Sequence, residues 1–338
     1  MKRMNQEIPK WMLSSKEEGL LSAEEKVAYY TKLREFCVSR KLCTTTPGAL
    51  TVAPRLKKIT EKVAKKVSVI LAGGDIEVVS DGQENIPKGP VIFAMTHQGI
   101  MDNFVWMPEN PRHCILLHHG DVNKFLILAQ LNTGLVLVSK KPENANSRIN
   151  NKLDMISILL RGHCMHYSPE GTWNLSPNKL HLPMSYGFLE VAQKAGVPVV
   201  PMVIEYTYDT SKPKERITKA HIRYGKAITV DVQDSLREKL HEYEESVSTI
   251  RWELFEEKGL YQRRDITNLD YINYLKGNLA TLELGQASLE SERKAMRGAS
   301  DEFYVFHHIN DVPWDAWGEL LQTDEVERLK RINRVHGI

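Results

Sequence analysis

Short apolar runs alternate with segments of helical period through the middle of this 338-residue chain. Seven runs have strand length: Ile76 to Val79, Val91 to Met95, Cys114 to Leu117, Leu135 to Val138, Cys164 to Tyr167, Val199 to Tyr206 and His221 to Tyr224. Breakers such as Pro87-Lys-Gly-Pro90 bound them. The intervening spacing predicts helices after His97 and over Asn123 to Leu131, Asn146 to Leu160 and Met184 to Lys194. Such alternation predicts an α/β fold, a mixed central sheet flanked by helices, over residues 51–230. Residues 1–50 read as a helical N-terminal extension. Ser22-Ala-Glu-Glu25 is a capping box there, before an amphipathic run to about Cys37 and a linker at Thr44-Thr-Thr-Pro-Gly48. Residues 231–338 read as a helical C-terminal extension, with helices over Val232 to Glu257, Tyr271 to Arg293 and Trp314 to Arg331.

One helix-period segment differs from the rest. Between Pro54 and Leu71 the apolar residues Leu56, Ile59, Val63, Val67 and Ile70 recur every three or four positions, and Arg55, Lys57, Lys58, Lys62, Lys65 and Lys66 fill other positions. A basic amphipathic helix of this kind lays its apolar stripe in a lipid interface, and each lysine near anionic headgroups contributes about 1 kcal/mol. The alternative is that the stripe packs on the protein's own sheet and the lysines are simply solvated. Composition narrows the setting. With 42% hydrophobic and 26% charged residues the chain is globular in character, and a net charge of +2 gives no reason to expect nucleic acid as a partner. No apolar run approaches the roughly 20 residues of a spanning helix. The first ten residues lack the apolar core of a secretory signal, and four cysteines without a Cys-x-x-Cys pair fit a reducing compartment. A cytoplasmic protein, peripherally associated with the inner face of a membrane, is the expectation.

The chemistry is concentrated in two stretches, Thr96-His-Gln-Gly-Ile-Met-Asp-Asn103 and Ser168-Pro-Glu-Gly-Thr172. A histidine takes a proton from an attacking hydroxyl near neutral pH, and an aspartate on its other ring nitrogen fixes the tautomer and stabilises the imidazolium. Residues five apart lie about 140° out of line on a straight helix, so His97 is expected on the turn leaving a strand, before the helix.

These stretches resemble the glycerolipid (lysophospholipid) acyltransferase family, which carries a histidine, four intervening residues and an aspartate. Four blocks occur in the family's order. They are His97 to Asp102, Gly134-Leu-Val-Leu-Val-Ser-Lys140, Tyr167-Ser-Pro-Glu-Gly-Thr172 and Gly196-Val-Pro-Val-Val-Pro-Met202. The resemblance spans roughly residues 60 to 230 and implies acyl transfer from a thioester, acyl-CoA or acyl-ACP, to a lipid hydroxyl. It implies His97 and Asp102 as the catalytic pair, and Glu170, Gly171, Thr172, Lys140 and Trp173 around the substrate, with Glu170 holding an acceptor hydroxyl. Oxyanion donors are expected near Gly171 or at the start of the helix after His97. The thioester supplies the activation, so no cofactor or metal is implied beyond the acyl-CoA or acyl-ACP co-substrate.

The departures fall where the family holds a phosphate. Lys140 stands in place of an arginine and gives up its planar fork. Trp173 and Asn174 follow Glu-Gly-Thr where arginine is usual, and Tyr186 replaces a basic residue before Gly187. A phosphorylated acceptor, 1-acylglycerol-3-phosphate, stays the default through Lys140, Lys141 and Lys179. A non-phosphorylated hydroxyl or amine is the alternative, and a catalytically silent membrane-binding scaffold is the alternative of another class. The clusters His118-His119 with Asp121, and His163-Cys164 with His166, lack zinc-ligand spacing. There is no Gly-x-Ser-x-Gly elbow and no phosphate-binding P-loop.

Overall fold

A computed structural model of the chain describes residues 7–46, 48–99, 101–119, 134–138, 145–171, 173–174, 179–209 and 216–259. The expected helices at 123–131, 271–293 and 314–331 lie outside the described residues. The strands are β1 Glu77–Asp81, β2 Ile92–Met95, β3 Cys114–His119, β4 Leu135–Val138, β5 Cys164–Tyr167, β6 Val199–Asp209 and β7 Arg216–Tyr224. They form one seven-stranded sheet in the order β1-β7-β6-β2-β5-β3-β4. All neighbours are parallel except the β6–β7 hairpin, so the sheet is mixed, as the alternation of runs predicts. All four residues of β2 are buried, as befits a central strand covered on both faces.

The helices are α1 Ser15–Glu18, α2 Ala23–Ser39, α3 Lys57–Ala72, α4 Asp102–Glu109, α5 Ala145–Leu160, α6 Gly187–Ala195 and α7 Leu236–Glu257. Strand alternation divides them into two layers. Ile92, Ala94, Met165, Val199 and Val203 point into a core shared with α2, α5, α6 and α7. Phe93, Met95, Cys164, Val200, Met202 and Tyr206 point into a second core closed by Ala72 of α3 and by Val105 and Trp106 of α4. The capping box of α2 is made in both directions between Ser22 and Glu25. Gly134 enters β4 with φ +78°, and a Cβ there would stand 2.7 Å from Ile115 Cδ1 and 2.9 Å from Ala49 Cβ. That position of the second block therefore requires glycine.

The described parts of the two flanking regions, residues 7–46, 48–50 and 231–259, pack on the central sheet. On the N-terminal side, Arg40 is buried in an ion pair with Asp154 of α5 (2.7 Å), whose other oxygen accepts from the Thr44 and Thr45 amides and hydroxyls. Thr46 N–H then donates to Leu135 O on the edge strand β4. On the C-terminal side, Tyr243, Val247 and Leu254 of α7 belong to the first core, and Tyr243 OH donates to Ala94 O of β2. Contacts thus cross the expected boundaries at residues 50 and 230 among the described residues.

Helix α3 turns its small residues inward. Thr60, Ala64, Ser68 and Ala72 are buried, whereas Ile59, Val63 and Ile70 are 56%, 54% and 76% exposed beside Lys58, Lys62 and Lys66. The apolar stripe does not pack on the sheet. Lys57 departs from the expected membrane-facing set: it is half-buried, paired with Glu61 and donating to Asn110 O (3.1 Å), because it falls on the side turned toward α4. Lys65 stays exposed with Glu109 at 3.4 Å. Among the described residues no helix is long and apolar enough to cross a membrane.

Candidate active site

Strand β2 delivers the chain to the carboxyl edge of the parallel strands, where open α/β sheets bind ligands. Thr96 ends the strand, His97 stands on the turn, and Asp102 opens α4. The turn is wound around one carboxylate. Asp102 Oδ2 accepts from His97 Nδ1 (2.6 Å) and from the amides of Gln98 (2.6 Å) and Gly99 (3.1 Å). Its Oδ1 accepts from the Tyr206 hydroxyl at 2.6 Å. Asp102 is fully buried, and four donors with the first turn of α4 hold its charge. Burial first, then the adjacent carboxylate, raises Tyr206 well above the ordinary phenol range, so it remains a donor.

The other ring nitrogen of His97 is engaged as well: Trp173 Nε1 donates to His97 Nε2 at 3.0 Å, with the rings edge to face at 83°. An indole nitrogen can only donate, and the amides on Asp102 require it to accept. Both contacts therefore specify a neutral imidazole with its proton on Nδ1 and its lone pair on Nε2. The His97 side chain is 19% exposed, enough for a substrate group to reach it.

Beneath the turn lies a second polar layer. Glu170, expected beside the acceptor, is 2% exposed and spends Oε2 on His97 N–H (2.9 Å) and Oε1 on Leu182 N–H (3.1 Å). It clamps the loop from behind, with the turn closed by Gly171 N–H and Ser168 O carrying it beneath His97. Burial raises its pKa, while Arg251 and the backbone donors pull it back. Gln98 Nε2 donates to Glu205 Oε1 (2.8 Å), and Glu205 pairs with Arg251 Nε (2.8 Å). Arg251, fully buried, also donates to Thr96 Oγ1 (2.8 Å) and to Leu180 O. Glu205 and Tyr206 are consecutive on β6, so alternation sends one beneath the loop and the other to Asp102.

Of the expected substrate residues, Gly171 is exposed at φ +66° with its amide turned to Ser168 O (3.0 Å). Trp173 lies against His97. Lys140, Lys141 and Thr172 fall outside the described residues. Tyr186, which stands where the resemblance implies a basic residue, is 52% exposed at the start of α6. The sequence does not single out Tyr206, Gln98, Glu205 or Arg251. Glu205 and Tyr206 carried a signal, being polar residues at the carboxyl end of an apolar run, whereas Arg251 carried none. His166, one strand over on β5, is buried against the Trp106 ring (4.6 Å between centroids) and is driven down to about 3, by burial first and then by His97. Among the described residues no three His, Cys, Asp or Glu side chains are grouped to hold a metal, and Asp121 lies outside them with the side chains of His118 and His119.

Residues 77–205 match the sequence model of the Acyltransferase family. Over 193 residues, 56% of this chain, the sequence is 24% identical to the 1-acyl-sn-glycerol-3-phosphate acyltransferase of Saccharomyces cerevisiae, and the match spans 62% of that relative's length. Among solved structures, the 1-acyl-sn-glycerophosphate (LPA) acyltransferase PlsC from Thermotoga maritima is similar at 21% identity, covering 69% of this chain and 98% of that one with a TM-score of 0.43.

Proposed function

We propose that this protein, which carries an Acyltransferase-family domain at residues 77–205, moves a fatty acyl group from a thioester to the hydroxyl of a lysophospholipid. The default acceptor is 1-acylglycerol-3-phosphate, the substrate in the yeast relative's name. One observation carries the reading: within the matched segment, a histidine whose Nδ1 lies 2.6 Å from a buried carboxylate, placed at the carboxyl edge of the sheet. His97 Nε2 takes the acceptor's hydroxyl proton as the oxygen bonds to the thioester carbonyl carbon, and Asp102 stabilises the imidazolium that forms. The C–S bond breaks, and the leaving thiolate takes the proton back from His97. The carbonyl oxygen carries negative charge in between. The Gly171 amide is committed to its own turn and the Asp102, Phe104 and Val105 amides to Gly99 O and Met101 O, so stabilisation of that charge is assigned to the positive N-terminal end of α4. Acyl-CoA and acyl-ACP are both suitable donors.

The exposed stripe of Ile59, Val63 and Ile70 beside Lys58, Lys62 and Lys66 supports peripheral docking on an anionic membrane surface. Helix α3 packs on α4, which bears Asp102, so docking brings the lipid surface near the dyad. A second reading keeps the chemistry and takes a non-phosphorylated hydroxyl or amine acceptor. It is favoured by Trp173, which sets an indole on the base where the family has an arginine.

The deciding experiment is thiol release from palmitoyl-CoA by the purified protein, with lysophosphatidic acid and with a non-phosphorylated lysolipid, beside His97→Ala. Release that needs lysophosphatidic acid and is lost in H97A supports the first reading, and release with the other acceptor alone supports the second. No release with CoA or ACP donors, whichever acceptor is present, sinks both and leaves the membrane-binding scaffold.

A further inference from the structure

The indole of Trp173 occupies the lone pair through which His97 must act. We infer that Trp173 is a latch on the general base: until an acceptor displaces the indole, His97 activates no hydroxyl, water included. The inference rests on the acyl-transfer reading and adds a control that the reaction needs. A thioester beside a free histidine base is open to hydrolysis: water gives its proton to Nε2, its oxygen bonds to the acyl carbon, the C–S bond breaks, and free fatty acid and thiol result. Coupling base exposure to acceptor arrival avoids that loss.

Three features support a latch rather than a fixed structural contact. Its contact with His97 is an edge-on hydrogen bond, 3.0 Å long with ring centroids 6.1 Å apart, and the two rings are not stacked. An acceptor hydroxyl donating to Nε2 replaces that bond like for like. The contact also holds only the resting charge state, since a protonated Nε2 would face a second donor, so the indole has to leave for turnover. Finally, the backbone is pinned on the C-terminal side of Trp173. Asn174, fully buried, donates its amide to His97 O at 2.6 Å and its side chain to Lys179 O at 3.1 Å. With the main chain tied to the histidine's own carbonyl, the indole exchanges by side-chain rotation and returns to the same place.

The test uses Trp173→Phe, which keeps a ring and loses the N–H, and Trp173→Ala, each checked for native circular dichroism. Diethyl pyrocarbonate acylates an unprotonated imidazole nitrogen, and peptide mass spectrometry resolves His97 among the 12 histidines of the chain. Labelling of His97 is expected to quicken about five- to tenfold in both variants, the factor that one net hydrogen bond represents. Acceptor-independent hydrolysis of palmitoyl-CoA is expected to rise by a similar factor, so that the ratio of transfer to hydrolysis falls. Unchanged labelling in both variants overturns the latch, and faster labelling without faster hydrolysis overturns its role against water. The labelling stands whether or not transfer is found, so failure of the acyl-transfer reading remains distinguishable from failure of the latch.

Discussion

At Asp102 a single carboxylate does three jobs: it closes the turn through the Gln98 and Gly99 amides, orients His97 through Nδ1, and holds Tyr206 through Oδ1. Removing one donor of four should weaken the dyad without dismantling the turn. Tyr206→Phe is therefore expected to lower kcat about tenfold with KM little changed, since a hydrogen bond to a charged acceptor contributes roughly 1.5–3 kcal/mol and part of it is recovered by relaxation. A variant with kcat unaltered would mean that the two amides and His97 suffice to hold the carboxylate. At this scale the sequence was legible where partners are close in the chain. His97 and Asp102 are separated by one turn, and the helical-wheel mismatch alone put the histidine ahead of α4. Tyr206 is 104 residues from Asp102 and Arg251 is 155 from Thr96, and nothing local couples them. Glu170 shows a subtler limit, because its position near the site was legible whereas its partners, the His97 and Leu182 amides, depend on which way the turn ending at Gly171 faces.

Among the elements, the strands were readable because each central one is a nearly unbroken apolar run, the pattern of strands buried on both faces. Helix α3 is the instructive case. Its period announced an apolar stripe with lysines, yet periodicity cannot say which face packs. The structure packs the small side, Thr60, Ala64, Ser68 and Ala72, against the body, where short side chains let the helix approach α4 closely, and leaves the larger apolar residues outside. This predicts a dissociation of stability from membrane binding. Ile59→Ser, Val63→Ser and Ile70→Ser together should shift the urea midpoint very little, since surface changes mostly fall within about 0.5 kcal/mol. The same triple variant should lose flotation with vesicles containing anionic phospholipid, because each large apolar side chain contributes about 1.5–3 kcal/mol when buried. Retained flotation would remove α3 as the docking element, and a large fall in the midpoint would show that the stripe supports the fold.

On the scale of the whole molecule, the dyad loop is held from both layers at once. Tyr206 reaches it from the α3–α4 side, and Glu205 with Arg251 reaches it from the α7 side, so the two cores meet beneath His97. His166 lies within the α3–α4 layer, its ring tilted against Trp106 of α4, with His97 and Asp102 the titratable groups that act on it. Burial drives its pKa from the ordinary 6.5 to about 3, which ties global stability to pH. In the unfolded chain this histidine takes up a proton near 6.5, whereas in the folded protein it stays neutral to about 3. Unfolding therefore binds a proton throughout that window. The stabilisation is complete above pH 6.5 and is lost as the pH falls toward 3, at about 1.4 kcal/mol per pH unit. Replacing His166 with leucine, close to it in volume, removes this source of pH dependence. Urea unfolding at pH 7.5 and pH 5.0 should show the wild type losing about 2 kcal/mol more than His166→Leu over that interval. Equal losses in the two proteins would mean that His166 accepts a proton inside the fold, and that α4 yields enough near the dyad to let water reach it.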